Sequence, residues 1–248
     1  DGLRLLVSRG RLMQDLPSGA MAAVRLTPDA LRPMLGPELD IAAVNAPQMC
    51  VVSGPDEAMA TLKAKLEEKG LPIRTLHTSH AFHSSMMDPV VEPFAAQFDG
   101  IELTPPQQPI MSTVSAEWLT DEQATDPYYW SGHLRRTVRF ADGIEQLLGT
   151  MQGVYLEVGP GQTLSTLVRQ HPASGEDCEP VATCPHAQQE MSDNQCIQET
   201  LGKLWLTGVK VDWSALYTDQ KRCRRHLPLY PFQRKRYWLD LAPSQEVK

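Results

Sequence analysis

The alternation of apolar and polar positions in the first 76 residues predicts one helix followed by a compact α/β unit. Apolar residues recur on roughly one helical face from Leu3 to Met13, and Pro17-Ser18-Gly19 breaks that pattern. Four short apolar runs and two helix starts then follow in the order β-α-β-β-α-β, which is the ferredoxin-like arrangement. The predicted strands are residues 21–26, 39–44, 49–52 and 72–76, and the predicted helices begin at Thr27 and Pro55.

The remainder of the chain again alternates helices and strands, so the predicted fold class is α/β. Residues 171–195 are polar and predict an irregular surface segment, whereas the chain from Val209 onward is irregular and rich in proline and aromatic residues. The predicted helices are residues 86–98, 128–148 (one or two helices), a segment after Gly161 and 197–206, and the predicted strands are 109–114 and 154–158.

Charge and composition exclude several broad classes of protein. Thirty acidic against 23 basic residues give a net charge of −7, which disfavours a nucleic-acid binder or a protein of anionic membrane surfaces. No apolar run approaches the length of about 18 residues that a transmembrane helix needs. The five cysteines form no Cys-x-x-Cys pair and are odd in number, so a reduced, cytoplasmic setting fits best.

The two ends of the chain carry further signals. The sequence opens at Asp1 inside a helical pattern, without an initiator methionine or signal peptide, so we expect a piece of a longer polypeptide. Residues 221–238 hold seven basic side chains and no acid. A nucleic-acid patch is the simple interpretation of such a run, but its interleaved aromatic and leucine residues are not explained by a solvated face. The basic residues are Lys221, Arg222, Arg224, Arg225, Arg234, Lys235 and Arg236.

The densest cluster of candidate chemistry is formed by His77, His80 and His83. Three imidazoles could bind zinc as in a metal-dependent hydrolase, although the change from strand to helix around them would turn the rings in different directions. One of them could instead act as an acid–base catalyst on a loop. A third interpretation is that they only form hydrogen bonds, and residue types alone leave all three open.

The stretch Thr78–Asp88, with the sequence TSHAFHSSMMD, resembles the histidine motif of acyltransferase domains in type I polyketide synthases. Further segments resemble this family in colinear order across almost the whole chain, which makes a chance likeness very improbable. They are Arg9–Gln14, Gly19–Val24, Asn45–Pro47 with Val51–Gly54, Tyr129-Trp130 with Val138–Phe140 and Glu157–Gly161, Asp212–Tyr217, and Leu227–Trp238.

The resemblance implies an incomplete α/β-hydrolase-like acyltransferase core with an inserted ferredoxin-like subdomain and an irregular C-terminal linker. Residues 1–17 and 77–208 would form the large subdomain, residues 18–76 the small subdomain, and residues 209–248 the linker that follows the acyltransferase. In this family the linker packs on a ketosynthase of the same polypeptide, which implies that contact for residues 209–241.

The family transfers a malonyl-type unit from coenzyme A to the phosphopantetheine arm of an acyl carrier protein, by a Ser/His ping-pong route. The motif assigns the base to His83, oriented by backbone carbonyl groups rather than by an acid. Malonyl-CoA would be the substrate and the acyl carrier protein a partner. The resemblance implies no covalently bound cofactor, no metal, no nucleic acid and no membrane.

Five further residues take implied substrate-binding roles from the resemblance. Arg9 would hold the free carboxylate of malonate, because a guanidinium pairs with a carboxylate in a bidentate way. His80 and Phe82 belong to the His-Ala-Phe-His form of the motif, which accompanies malonyl rather than methylmalonyl specificity. Asn45 and His133 fall near positions that line the family's site, and His133 stands where a carboxamide is usual.

One departure from the family is large, because the 248 residues contain no Gly-x-Ser-x-Gly elbow. The elbow provides the serine nucleophile, so we expect this chain alone not to form an acyl-enzyme. A stand-alone malonyl transacylase of fatty-acid synthesis is a close alternative, which the ketosynthase-type linker argues against. A module without a nucleophile that only docks a carrier protein or a ketosynthase is the alternative from a different class.

Overall fold

The computed structural model describes residues 1–175, 178–223 and 225–238. The chain divides into two compact units, residues 1–209 and 210–248. The elements of the first unit are α1 (Gly2–Gln14), β1 (Ala20–Val24), α2 (Pro28–Leu31), β2 (Asp40–Ala46), β3 (Met49–Gly54), α3 (Asp56–Glu68), β4 (Ile73–Thr75), α4 (Asp88–Ala95), α5 (Asp121–Ala124), α6 (Pro127–Gly132), α7 (Phe140–Thr150), β5 (Leu156–Pro160), α8 (Thr163–Arg169), β6 (Val181–Cys184) and α9 (Asp193–Leu206).

Strands β1 to β4 form one antiparallel sheet in the order β2-β3-β1-β4. Helices α2 and α3 connect its strands, so the chain order is the predicted β-α-β-β-α-β. The core against this sheet is apolar, because alternate strand residues and the inner faces of both helices meet there. Its buried members are Ala22, Val24, Leu31, Leu39, Ile41, Cys50, Val52, Met59, Leu62 and Leu66.

Helix α3 forms where the sequence predicts it. Pro55 stands at the N-cap, the acidic Asp56 and Glu57 occupy the first turn, and Lys65 the last, which suits the helix dipole. Its apolar stripe is buried on the sheet. Gly70 then adopts a φ of +67°, a left-handed conformation that glycine takes without steric cost.

A second apolar cluster joins α1, α4 and the segment after α6. Its buried members include Met87, Phe94 and Leu134, with Leu5 and Leu12 of α1 packed against them. The predicted helix 86–98 is present as α4 with one 3₁₀ turn at either end, Ser85–Met87 and Ala96–Phe98. The predicted 128–148 segment forms two helices, α6 and α7.

The prediction of a strand over residues 109–114 is wrong. The chain turns back after Ser112, whose hydroxyl accepts hydrogen bonds from the amides of Val114 and Ser115 at 3.1 and 3.2 Å. The β-pairing in this segment is limited to one isolated bridge, between Met111 and Trp118. A serine that offers the backbone a local alternative to a ladder is the physical reason.

The prediction of an irregular segment over residues 171–195 is also wrong in part. Strand β6 lies inside it and pairs in parallel with β5, with Leu156 opposite Val181. Helix α9 begins four residues earlier than predicted, because the Ser192 side chain accepts a hydrogen bond from the amide of Gln195 and caps it. The parallel partner of β6 is distant in sequence, so local polarity does not reveal the strand.

The second unit contains one short 3₁₀ turn, Ala215–Tyr217, and is otherwise irregular in its described part. The guanidinium of Arg222 lies 4.6 Å from the centroid of the Tyr217 ring. Arg224 and residues 239–248 of the predicted linker lie outside the described residues. Within the described ranges, no helix is long and apolar enough to cross a membrane.

Candidate active site

The turn that carries His83 follows β4 and crosses β1 at close range. Gly19, the residue before β1, donates its amide hydrogen to the carbonyl of Ser79 at 3.3 Å. A Cβ at Gly19 would stand 2.7 Å from the Cβ of Ala81, so only glycine permits this crossing. The buried Ser84 hydroxyl closes the turn by donating to the carbonyl of Ala81 at 2.6 Å.

The backbone of His83 itself has an uncommon conformation. Its φ is +59°, in the left-handed region that a residue with a Cβ enters at a cost. The amide of His83 donates to the carbonyl of Leu134 at 3.1 Å, which holds the turn against the segment after α6. Unfavourable backbone conformations of this kind persist when the surroundings impose them, and they concentrate at functional sites.

The imidazole of His83 is oriented by a backbone carbonyl. Its Nδ1 lies 2.9 Å from the carbonyl oxygen of Arg136. A carbonyl oxygen can only accept a hydrogen bond, so Nδ1 must carry the hydrogen. In the neutral ring this leaves the lone pair on Nε2, which can therefore accept a proton from a substrate or a nucleophile.

The surroundings keep this ring neutral. Burial lowers the pKa of His83 below its ordinary value of 6.5, and the charge of Arg9 lowers it further, whereas the carbonyl groups of Arg136 and His133 act in the opposite direction. Because the net change is downward, the ring is unprotonated near pH 7. A neutral imidazole with a free Nε2 has the properties of a general base.

Arg9 lies on α1 and carries the cation of the site. Its Nε atom is buried and has no hydrogen-bond partner within the described part of the chain. Burial lowers the pKa of this guanidinium. A half-buried guanidinium with an unsatisfied donor is suited to an anionic group, above all a carboxylate that accepts two hydrogen bonds.

A cavity of about 290 Å³ brings the predicted base and the predicted cation together. Its wall is otherwise apolar and includes the Phe82 ring. The site therefore offers one positive charge and one proton acceptor against an apolar surface. The lining residues are Arg9, Met13, Met21, Phe82, His83 and Leu134.

His133 lies beside Arg9 in a second, larger cavity of about 780 Å³. Its ring packs against Tyr129 and Trp130, with centroids 5.0 and 5.4 Å away. Burial lowers the pKa of His133, and the nearby cations Arg9 and Arg136 add to that change. Its Nε2 is buried and lacks a hydrogen-bond partner among the described residues.

His80 and Asn45 lie on neither of these two cavities. His80 is buried, and both of its ring nitrogens are occupied, by the Ser79 hydroxyl at 2.8 Å and the Leu16 carbonyl at 3.1 Å. Asn45 is half-buried near the end of β2. Among the described residues, no group of three His, Cys, Asp or Glu side chains could hold a metal ion, so the three histidines of the cluster do not form a zinc site there.

Glu157 has a structural role in the sheet-to-helix turn. Its carboxylate accepts the amide hydrogens of Leu164 and Ser165 at 3.1 and 2.8 Å, at the start of α8. Burial raises the pKa of Glu157, but these hydrogen bonds outweigh that effect and lower it overall. The carboxylate thus satisfies helix amides that would otherwise be unpaired.

One feature near His83 gave no signal in the sequence. Arg135 stands between the two residues whose carbonyls hold His83, and its guanidinium contacts Asp40 and Asp88 at 3.3 and 2.9 Å. These acids are remote from Arg135 in the chain. Charge patterns reveal pairs three or four residues apart, so no local spacing could have indicated this one.

Comparison with known proteins decides the family. The family model described as the acyl transferase domain matches residues 1–211. The chain belongs to this family. The resemblance stated from the motifs is therefore confirmed, and the related proteins are type I polyketide synthases.

Two curated relatives illustrate the context of this acyltransferase. The chain is 37% identical over 235 residues to a component of the phenolphthiocerol/phthiocerol polyketide synthase of Mycobacterium tuberculosis, covering 94% of the chain and 16% of that component. It is 36% identical to the polyketide synthase GfsA of Streptomyces halstedii, covering 100% of the chain and 3% of the synthase. The chain thus spans less than a fifth of each of these relatives.

Solved acyltransferase structures share the fold. The acyl transferase domain of SpnD, solved in complex with 2-(pent-4-yn-1-yl)malonyl, is 40% identical with a TM-score of 0.79, covering 84% of this chain and 50% of that one. The acyl transferase domain of ZmaA is 32% identical with a TM-score of 0.82, covering 92% of this chain and 53% of that one. The mixed α/β architecture of this chain is therefore that of acyltransferase domains.

Proposed function

We propose that this acyltransferase transfers a malonyl unit from malonyl-CoA to the phosphopantetheine arm of an acyl carrier protein. The family supports acyl transfer. One observation supports malonyl as the acyl group. His83, whose Nδ1 is bonded to the Arg136 carbonyl, lines the same cavity as Arg9. A base and a carboxylate-binding cation in one cavity suit a dicarboxylic thioester.

In the proposed mechanism, Nε2 of His83 removes the proton of a serine hydroxyl while the serine oxygen attacks the thioester carbonyl. The carbon–sulfur bond breaks, and the protonated His83 returns the proton to the leaving thiolate of coenzyme A. In the second half, His83 takes the proton of the carrier thiol as its sulfur attacks the acyl-serine ester, and the serine oxygen leaves with that proton.

The serine is the part of this mechanism that the 248 residues do not offer in a Gly-x-Ser-x-Gly elbow. We propose that another segment of the same polypeptide supplies it, and that the 248 residues alone are inactive. The function therefore concerns the complete domain, in which this chain contributes the base and the carboxylate-binding residue.

Specificity for malonyl follows from two side chains of the smaller cavity. Arg9 would pair with the free carboxylate of the acyl group and so favour dicarboxylic units over acetyl. The ring of Phe82 would leave little room for an α-methyl group. Discrimination of one methyl is worth about 1–3 kcal/mol, so this is a preference for malonyl over methylmalonyl rather than an exclusion.

Of the other three implied substrate-binding residues, only His133 is supported by its position in a cavity. His133 lines the larger cavity with an unpartnered Nε2, which would suit a hydrogen bond from the substrate. For His80 and Asn45, substrate contact rests on the family resemblance alone, and the two occupied ring nitrogens of His80 suit a positioning role better.

The organisation of the chain supports further parts of the proposal. The strand order β2-β3-β1-β4, with its two connecting helices, supports a ferredoxin-like small subdomain over residues 18–76. The division of the chain after residue 209 supports a separate linker, which would contact a ketosynthase through residues 209–241. The large synthases among its relatives are consistent with a carrier protein and a ketosynthase in the same polypeptide.

The test uses the complete synthase polypeptide that contains this chain. It is offered malonyl-CoA, methylmalonyl-CoA and acetyl-CoA at equal concentration, and the acylated peptides are identified by mass spectrometry after seconds of reaction. We expect a malonyl ester on a serine of this domain, followed by malonyl on the carrier thiol. Acetyl as the main product, or carrier loading without an acyl-serine, would overturn the proposal.

A further inference from the structure

The His83 turn and the segment after α6 contact each other on both sides of one arginine. The amide of His83 donates to the carbonyl of Leu134, and its Nδ1 donates to the carbonyl of Arg136. Arg135 lies between those two residues. The orientation of the His83 ring therefore depends on the position of the backbone on either side of Arg135.

The side chain of Arg135 joins two carboxylates from different elements, Asp40 at the start of β2 and Asp88 at the start of α4. Its Nη2 lies 3.3 Å from Oδ1 of Asp40, and its Nε lies 2.9 Å from Oδ1 of Asp88. The other oxygen of Asp40 accepts the amide hydrogen of Ser85 at 2.8 Å, two residues after His83. Asp88 begins α4, which directly follows the turn.

The contacts form a closed network around His83. Two carbonyls of the segment 134–136 hold its amide and its ring. Arg135 is bonded in turn to Asp40, which accepts the amide hydrogen of Ser85, and to Asp88, which begins the helix after the turn. A planar guanidinium can serve two carboxylates at once in a fixed geometry, which a lysine ammonium does not reproduce. The left-handed backbone of His83 is a conformation that only such surroundings maintain.

We infer that Arg135, through Asp40 and Asp88, is a positioning residue for the catalytic imidazole of His83. This inference rests on the proposed function, in which His83 is the base. Arg135 lines neither the cavity of Arg9 and His83 nor the larger one, so its action is on the base and not on the substrate. Its two ion pairs are partly exposed, and such pairs contribute little to folding.

The first test is the variant Arg135→Gln in the complete synthase polypeptide, with the rate of malonyl-serine formation measured in single turnovers. We expect a 10- to 100-fold lower maximal rate and an unchanged malonyl-CoA concentration at half-maximal rate, because a base displaced by about 1 Å costs such a factor. Arg135→Lys should recover part of the loss. An unchanged rate, or a change confined to the half-maximal concentration, would overturn the inference.

The matched control is Arg139→Gln. Arg139 lies four residues further along, is more exposed than Arg135, and pairs with Asp142 at 2.7 Å instead of with Asp40 and Asp88. Its loading rate should stay within twofold of the parent. If circular dichroism shows that Arg135→Gln does not fold, Asp88→Asn removes the shorter ion pair and gives the same comparison.

A double-mutant cycle separates this inference from the proposed function. If Arg135 acts through His83, Arg135→Gln should cost nothing further in a His83→Ala background. An equal loss in both backgrounds would refute the positioning role while leaving His83 as the base. Normal loading by His83→Ala alone would refute the proposed function and the inference together.

Discussion

The sheet of β1 to β4 and the cavity of Arg9 and His83 differ in the kind of side chain that each region buries. The sheet core consists of buried apolar side chains, among them Leu31 and Leu66 with no exposed surface at all. Around the cavity, Arg9 and His133 each bury a nitrogen that lacks a hydrogen-bond partner in the described part of the chain. An unsatisfied buried donor costs free energy, so these two nitrogens lower the free energy of unfolding, whereas burial of the apolar side chains of the sheet core raises it.

Because of this difference, substitutions in the two regions should distinguish effects on the stability of this acyltransferase from effects on its chemistry. Substitutions in the sheet core should unfold the domain without a specific effect on chemistry. Substitutions around the cavity should impair acyl transfer while the domain stays folded, since groups kept unsatisfied at a cost are available for a substrate.

The largest expected effect is that of His83→Ala in the complete synthase. Loss of the base should lower the rate of malonyl-serine formation by about 10²- to 10⁴-fold. The measurement is single-turnover loading followed by mass spectrometry, with the exposed His77→Ala of the same turn as the control. Loading within a few-fold of the parent would mean that His83 is not the base.

Next in size is Leu66→Ala, which empties a fully buried position of the sheet core. We expect it to lower the free energy of unfolding by about 2–5 kcal/mol, because the apolar contacts are lost and a cavity remains. Pulse proteolysis in urea reports this value, and the exposed Thr61→Ala on the same helix is the control. A loss below about 1 kcal/mol would contradict the tight packing assigned to this core.

A smaller and more selective effect is expected from Arg9→Ala. The loss of a charged hydrogen-bonding partner, worth about 1.5–3 kcal/mol, should reduce kcat/KM for malonyl-CoA roughly 10- to 150-fold. The value for acetyl-CoA should change little, because acetyl has no carboxylate. Arg11→Ala, an exposed arginine of the same helix, is the control. Equal losses for both substrates would show that Arg9 does not bind the carboxylate.

The smallest expected effect concerns pH. Because the pKa of His83 lies below its ordinary value, loading should be at its plateau near pH 7 and fall as the pH drops through that lowered pKa. Arg9→Gln removes one of the causes of the lowering, so the acidic limb of the rate should move to higher pH. The measurement is acetyl loading against pH, and a limb that stays in place or moves down would contradict the assigned electrostatics.

The parts of the fold that local pattern predicted are those that local contacts stabilise. Helix α3 matched its prediction from Pro55 to Gly70 because its caps and its apolar stripe are all within the segment. Strand β6 was missed because its partner β5 is about 25 residues away, and polar residues surround it. Residues 109–114 were mistaken for a strand because the Ser112 hydroxyl competes for the backbone amides, which apolar periodicity does not register.

The residues of the candidate site were also only partly predictable from local sequence pattern. His83 and Arg9 were singled out through a family motif, because residue types alone do not distinguish His83 from the two similar histidines beside it. The resemblance implied that backbone carbonyl groups orient His83, but not that one of them belongs to Arg136. The acids bound to Arg135 could not be predicted either, because distant ion pairs leave no local pattern. The catalytic role of His83 and all the substrate-binding roles stay predictions, namely those of Arg9, His80, Phe82, Asn45 and His133.

The left-handed backbone of His83 has a practical consequence for anyone who needs an inert form of this domain, for example to trap a loaded carrier protein. β-Branched replacements such as valine would resist the φ of +59° and distort the turn itself, so that lost activity would report damage instead of missing chemistry. Asparagine tolerates this conformation better than most residues with a side chain, and it cannot act as a base. His83→Asn is therefore the replacement of choice for a silent but intact domain.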